Sequence, residues 1–168
     1  MIIKSVLKDQ ITQAILNGYD WLITGAQLGV EQWSVSVADR LKQTYRNRYQ
    51  IAVMRPFLNF GQRWNSKNQH RMIKTIHRAD FSGTVSSTDY QSPRQLFAYQ
   101  HFMLAHTDGA LMIYDPDYPG QSKYDYRAIK RIRRIKTYPI TLVTMDDLQE
   151  AANEYEINYE EKRRRKFK

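Results

Sequence analysis

A short apolar run that leads into two glycines restricts the fold of this chain more than any other feature. Trp21–Thr24 has the residues of a buried strand, Gly25 and Gly29 bracket a tight turn, and Glu31 falls in the first turn of the next helix. A strand, a glycine turn and a helix N-terminus form an anion-binding site from backbone amides, because the first helical N–H groups lack internal partners. Alternatively the glycines only make a tight connection, since Gly-x-x-x-Gly is shorter than a dinucleotide fingerprint.

The rest of the chain repeats the alternation of strand and helix. Besides the strand at 20–24, strands are expected at 50–54, 81–87, 109–114 and 138–143. Amphipathic helices are expected at 4–17, after the glycine turn, at 66–78 with Ser66 as N-cap, at 92–106, along a stripe from Ala128 to Ile135, and at 146–155. This order predicts an α/β, Rossmann-like three-layer fold with a mostly parallel sheet of about five strands. Residues 1–158 should form a single domain and 159–168 a disordered basic tail.

In such sheets, ligands bind outside the carboxyl ends of the strands, where the strand order reverses. The loops expected at that edge carry glycines, amides and aromatic rings. The candidate ligand-binding residues are Gly25, Ala26, Gln27, Gly29, Glu31, Phe57, Asn59, Trp64, Ser92, Asp115, Gly120, Ser122 and Tyr124. For Phe57 and Trp64 an alternative stays open, namely that both rings close the top of the core.

The positive charge is concentrated near the carboxyl terminus. The net charge is +9, and half of the 26 basic residues lie in the stretches 123–136 and 162–168. On a helix, one face would carry Arg127, Lys130, Arg131 and Arg134. Such a face can bind nucleic-acid phosphates, although a basic helix face is more often plain solvated surface.

Composition excludes several other classes of protein. Cysteine is absent, which removes disulfides and thiolate metal sites. The histidine pairs are spaced seven apart (His70, His77) and five apart (His101, His106), unlike a helical zinc pair, so no metal is expected. No apolar run approaches a membrane span and no signal-peptide core is present, which favours the cytoplasm.

Taken together, the strand-end loops resemble those of the YpsA-like family, a Rossmann-like group of the SLOG superfamily. That superfamily also contains the LOG-type phosphoribohydrolases and the DNA-processing protein DprA. The similarity runs from about 21 to 143 and is carried by short motifs in a specific order. These are Gly25–Glu31, Pro56-Phe57-x-Asn59 with Trp64, Ala79–Phe81, Tyr90-x-Ser92-Pro93-x-Gln95, Thr107–Leu111, Tyr114-Asp115 and Gly120-x-Ser122-Lys-Tyr124.

The resemblance implies a cytosolic bacterial protein with a pocket for a nucleotide or an ADP-ribose-like ligand. It implies that the turn from Gly25 to Gly29 holds phosphate and that Glu31 contacts a ribose hydroxyl or fixes the turn. Gly120, Ser122 and Tyr124 would then wall the opposite side, and Phe57 and Trp64 would stack on a base.

Two positions depart from the family pattern. In the family a first strand with a glycine loop precedes the first helix, whereas here the helix begins almost at Met1. That strand would lie near the middle of the sheet, so we expect upstream residues, another segment or a second chain, as in a homodimer, to fill the gap. The second departure is Phe60, where the family tends to carry glutamine.

Three functions follow from these observations. The first is binding or sensing of a nucleotide-like small molecule, without a predicted reaction. The second is nucleic-acid binding through the basic helix and tail. The third is hydrolysis of an N-glycosidic bond, for which Glu31 with Asp115 is the only plausible carboxylate pair. The LOG-type glutamate has no counterpart in Gly120–Tyr124, which disfavours this third function.

Overall fold

The computed structural model describes residues 2–166 and contains five strands that alternate with helices. The strands are β1 (Trp21–Thr24), β2 (Gln50–Arg55), β3 (Phe81–Thr84), β4 (Ala110–Ile113) and β5 (Ile140–Val143). The helices are α1 (Ile2–Leu16), α2 (Val30–Leu41), α3 (Ser66–His77), α4 (Arg94–Ala105), α5 (Lys123–Ile132) and α6 (Met145–Lys166). The predicted α/β alternation is therefore confirmed.

The strands form two separate parallel sheets. One has the order β1-β2-β3 and the other pairs β4 with β5. The parallel pairing and the five strands are confirmed, but the prediction of one sheet of about five strands is wrong. The division falls between β1 and β4, because no described strand lies between them to pair with both.

The helices cover both faces of the strands. Right-handed crossovers place α2 and α3 on one face, while α4 returns in the opposite direction and so lies with α5 on the other. The packing agrees, since α1 contacts α2, α2 contacts α3, and α4 contacts α5. The Rossmann-like three-layer arrangement is thus present.

The core is centred on β2. Ile51 and Val53 are 0% exposed and belong to the same buried cluster as Val35 and Ala38 of α2. Helix α1 adds a stripe at every fourth position, of which Leu7 is the most buried residue. This half of the molecule therefore has a complete hydrophobic core.

Three boundaries differ from those predicted. Helix α3 is capped by Asn65, whose side chain accepts from the Asn68 amide, rather than by Ser66. Helix α5 ends at Ile132, so Ile135 lies beyond the buried stripe and is 87% exposed. Helix α6 is 22 residues long, extending past the helix predicted at 146–155 into the range assigned to the tail. Within the described residues, no helix is both long and apolar enough to cross a membrane.

Candidate functional site

A cavity of about 630 Å³ separates the two sheets. Its long walls are the facing edges of β1 and β4, and side chains of α1, α4 and α5 line the remaining sides. At the carboxyl ends of the strands it reaches Gly25, Glu31 and Ser122. The glycine turn therefore lies at the mouth of this cavity, as the rule for parallel α/β sheets predicts.

The side chain of Glu31 closes the glycine turn from within. Its Oε2 accepts a hydrogen bond of 2.7 Å from the Gln27 amide. A Cβ on Gly25 would lie only 2.2 Å from that oxygen and 2.6 Å from the Tyr99 hydroxyl. Residue 25 must therefore be glycine for both polar side chains to converge on this point.

Two further hydrogen bonds fix the backbone on either side of Glu31. The Gln32 side-chain amide donates to the Ala26 carbonyl over 3.0 Å, and the Ser34 hydroxyl donates to the Glu31 carbonyl over 2.7 Å. Gly29 precedes α2 with φ of 98°, a left-handed conformation that favours glycine. These contacts hold the turn on both sides of Glu31.

The environment of Glu31 is acidic and poorly hydrated. Burial raises its pKa, the Gln27 N–H opposes this, and the charge of Asp125 adds to the rise. Burial, then the charges of Glu31 and Asp125, also raises the pKa of Tyr99. Asp125 is itself held by the side-chain amide of Gln100 at 2.7 Å. Such a group of acceptors suits a ligand that presents hydroxyl or N–H donors.

Several predicted residues do not reach this cavity. Phe57 packs against Phe60 and Tyr90, with ring centroids 5.7 and 5.0 Å apart, and Trp64 packs edge-on against Phe60 at 5.3 Å. Asn59 accepts from the Tyr90 amide and lines a separate depression of about 400 Å³. Because Phe60 and Trp64 also pack on the core, the geometry favours the alternative in which these rings close it.

The residues predicted after β4 also have structural partners. Asp115 accepts from the Asp117 and Met145 amides, at 2.9 and 3.1 Å. Tyr124 is 55% exposed, and a Cβ on Gly120 would meet no atom within 4 Å. The carboxylate whose charge acts on Glu31 is therefore Asp125, and the pairing of Glu31 with Asp115 is not formed.

Ser92 lies in the turn before α4 rather than in the cavity. Its amide and that of Gln91 donate to the Gln95 side chain, at 3.2 and 2.6 Å. Gln95 thus holds the start of α4, the helix that carries Tyr99. The contribution of Ser92 to the site is indirect.

Sequence reasoning missed Tyr99, Gln100 and Asp125. Tyr99 lies on a helix that was predicted only from its apolar periodicity, and periodicity carries no information about a hydroxyl at the edge of an apolar face. Asp125 could have been predicted from one feature of the sequence. It is an acid in the first turn of a helix that follows a strand-end loop, and such a helix begins at the carboxyl edge of the sheet.

The basic face of α5 points away from the cavity. Arg127, Lys130, Arg131 and Arg134 are all exposed, and none forms an ion pair with another described residue. Lys136, by contrast, donates to the Leu104 and Thr107 carbonyls. The part of the basic tail beyond 166 lies outside the described residues.

Comparison with known proteins gives one consistent result. A family model described as the YspA SLOG family (YpsA) matches residues 1–148. A UPF0398 protein of Lacticaseibacillus casei is 47% identical over 151 residues, which are 90% of this chain and 78% of that protein. A UPF0398 protein of Levilactobacillus brevis is 48% identical over 158 residues, covering 94% of this chain and 83% of the relative. That of Lactobacillus delbrueckii subsp. bulgaricus is 46% identical over 162 residues, covering 95% and 86%.

Proposed function

The chain belongs to the YpsA family of SLOG proteins, and from this premise we propose that it binds a nucleotide-like or ADP-ribose-like small molecule in the cavity between β1 and β4. One observation carries the proposal. Glu31 and Tyr99 converge over Gly25, with Asp125 close enough to act on both, at the carboxyl ends of parallel strands.

The chemistry of this cluster favours the sugar part of such a ligand. The carboxylate of Glu31 already accepts the hydrogen bond of the Gln27 amide. A phosphate at the same amide would therefore be repelled by the negative charge of Glu31. A ribose diol instead donates two hydrogen bonds and carries no charge. We therefore assign Glu31 and Asp125 to ribose hydroxyl groups and expect any phosphate to extend toward the exposed loop at Gly120.

A binding or sensing role is favoured over hydrolysis. Glu31 and Asp125 are both engaged through one carboxylate oxygen, with Gln27 and Gln100 respectively. A glycosidase needs one carboxylate free to activate water or attack the sugar. The cluster is better suited to recognising hydroxyl groups than to cleaving a bond.

A thermal-shift panel of adenosine, AMP and ADP-ribose tests this proposal, because a ligand of the native state raises the melting temperature by mass action. The shift should disappear with the 2′,3′-dideoxy form of adenosine and shrink in Glu31→Gln. Asp115→Asn is the matched control, since Asp115 lies outside the cavity. Flat melting curves across the panel would contradict the proposal, as would equal shifts by the dideoxy compound.

The exposed face of α5 supports a second candidate, nucleic-acid binding. Arg127, Lys130 and Arg131 lie on α5 and Arg134 follows its end, and none of the four has an acidic partner among the described residues. Four phosphate contacts predict a loss of about 150-fold in affinity between about 50 and 200 mM salt. Fluorescence anisotropy with labelled DNA measures this slope. Replacing the four cations by glutamine should abolish it, whereas Lys67→Gln with Lys74→Gln on α3 should not.

A further inference from the structure

We propose that the depression beside the carboxyl end of β2 binds an α-amino acid with an apolar side chain. The carboxylate of this ligand pairs with Arg55, and its ammonium group pairs with Asp89. The depression has a volume of about 400 Å³ and shares no lining residue with the cavity between the sheets. Its occupation is therefore independent of the ligand proposed above.

Arg55 occupies a position in β2 that continues the buried face of the strand. Side chains alternate along a strand, so Arg55 lies on the same face as Ile51 and Val53, which are both fully buried. Those two residues belong to the cluster that also contains Met72 of α3. Because β1 ends opposite Val53, Arg55 extends beyond the end of that strand and lines the depression.

The guanidinium group of Arg55 is charged and unpaired among the described residues. Its Nε atom is buried and forms no hydrogen bond with any of them. No ion pair joins Arg55 to a described carboxylate. An arginine keeps its charge in a protein, so it cannot reduce the cost of burial by losing a proton. A buried donor without an acceptor is unfavourable, and a bound carboxylate removes that cost.

A second donor lines the depression with Arg55. The Oδ1 atom of Asn59 accepts from the Tyr90 amide over 2.9 Å, so the Nδ2 group of Asn59 is left to donate to a ligand. A carboxylate bound here accepts from a guanidinium fork and from a side-chain amide. Charge-assisted contacts of this kind are among the stronger hydrogen bonds in proteins.

The acceptors of the depression include a residue of opposite charge, Asp89. It is exposed and is held beside the loop after β2, because the neighbouring Thr88 carbonyl accepts from the Leu58 amide over 3.0 Å. Asp89 forms no ion pair with Arg55 or with another described cation. Gln69 adds an acceptor, since its Nε2 atom donates to two backbone carbonyls over 2.7 and 2.9 Å and its Oε1 atom is left for a ligand. Two unpaired opposite charges in one depression suit a zwitterion.

Apolar side chains form the rest of the wall. Leu58 and Ile73 are 50% and 47% exposed, whereas Met72 beside them is buried. A ligand side chain that covers Leu58 and Ile73 removes apolar surface from water. The volume of about 400 Å³ lies at the small end of the range for ligand sites, which suits a single amino acid.

A phosphate group is a poorer occupant than a zwitterion. It carries about two negative charges, which Asp89 repels. It also has no apolar part to cover Leu58 and Ile73. An apolar amino acid matches both charged residues and the apolar wall.

An NMR titration of the chain with L-leucine tests the proposal. The side-chain amide signals of Asn59 and Gln69 should shift with a dissociation constant below about 1 mM, without change at the Gln32 side chain in the other cavity. Two analogues each lack one charge: 4-methylpentanoic acid has no ammonium group and leucinamide has no carboxylate. Both should bind at least about tenfold more weakly, because each leaves one charged residue unpaired.

Arg55→Met tests the role of the guanidinium group. The substitution keeps an unbranched side chain but removes the unpaired charge, so it should abolish leucine binding and raise the melting temperature of the free chain. Arg63→Met is the matched control, since Arg63 is exposed in the same loop and does not line the depression. Asp89→Asn should weaken the binding of leucine but not that of 4-methylpentanoic acid.

The proposal is overturned if leucine binds more weakly than about 1 mM, if either analogue binds as tightly as leucine, or if Arg55→Met binds leucine like the parent. A lower melting temperature of Arg55→Met would also contradict it, because the guanidinium group would then have a favourable partner within the folded chain. The analogues are measured on the parent, so they decide the matter even where a variant fails to fold.

Discussion

The two sheets differ in how completely they are buried. In the three-stranded part, Ile51 and Val53 are 0% exposed and helices α1, α2 and α3 supply a continuous core. In the two-stranded part, every residue of β4 is only partly buried, and α4, which crosses to it, has no buried residue at all. Phe97 of that helix is 69% exposed.

The larger part supplies most of the stability, whereas both parts together form the cavity. The larger part contains most of the buried apolar surface, which is the main source of folding free energy. The cavity needs both parts, because Glu31 comes from one and Tyr99, Gln100 and Asp125 come from the other. The well-buried part thus presents its glycine turn to a part that is less buried.

The largest expected effect compares two isoleucines. Ile51→Ala should lower the free energy of unfolding by about 3 kcal/mol and Ile113→Ala by about 1 kcal/mol, because the cost of a truncated side chain rises with its burial. Urea denaturation followed by tryptophan fluorescence measures both. Equal losses would show that the two sheets are packed alike.

A smaller effect is expected at two glycines. Gly25→Ala places a Cβ against Glu31 and Tyr99 and should cost about 2 kcal/mol. Gly120→Ala meets no atom within 4 Å and should change stability by less than about 0.5 kcal/mol. Thermal unfolding distinguishes the two. A Gly25→Ala variant as stable as the parent would mean that the turn does not require Glu31 in this position.

A weaker, pH-dependent effect comes from Glu31. Its pKa in the folded state is raised, first by burial and in part by Asp125, so the folded chain favours the protonated carboxyl. The associated stability is present below the unfolded value of 4.5 and is lost as the pH rises through the folded pKa. As the pH rises from about 4 to about 8, the free energy of unfolding of the parent should therefore fall relative to that of Glu31→Gln. A shift in the opposite direction would mean that Glu31 is stabilised as the anion.

The smallest effect tests the polar contacts of the two-stranded part. Lys136 donates to two carbonyls at 3.3 Å and lies 5.1 Å from the ring of Tyr138. Lys136→Met should cost about 0.5 kcal/mol, and Lys67→Met on the exposed surface of α3 should cost nothing measurable. Differential scanning calorimetry on both variants checks this, and equal melting temperatures would assign no role to Lys136.

Local pattern was sufficient to predict the elements. Apart from the carboxyl end of α6, the apolar runs and helical stripes gave the strands and helices within a few residues, because hydrophobic periodicity records which face of each element is buried. The separation into two sheets left no such signal in β1 and β4 themselves, and only the family pattern, which has a further strand near the middle of the sheet, pointed to a gap there. Whether β1 and β4 are neighbours depends on what lies between them, and the residues of either strand would look the same in both cases.

The site was predictable only where it depends on backbone. Gly25 and Glu31, two predicted site residues that line the cavity, were chosen because a tight turn before a helix restricts residue type. Phe57 and Trp64 do not line the cavity, and their pattern left both alternatives open because aromatic rings at a strand end serve a core as well as a ligand. Tyr99 and Asp125 come from helices 68 and 94 positions after Glu31, and only tertiary packing brings them to that residue.

Helix α6 contacts both parts of the molecule. It begins where the Met145 amide donates to Asp115 after β4, and it packs on α1 of the larger part. With 22 residues it is about 33 Å long, so a rotation of about 5° at its base moves its far end by about 3 Å. A dye at its end would convert a change in the width of the gap into a displacement that resonance energy transfer can record.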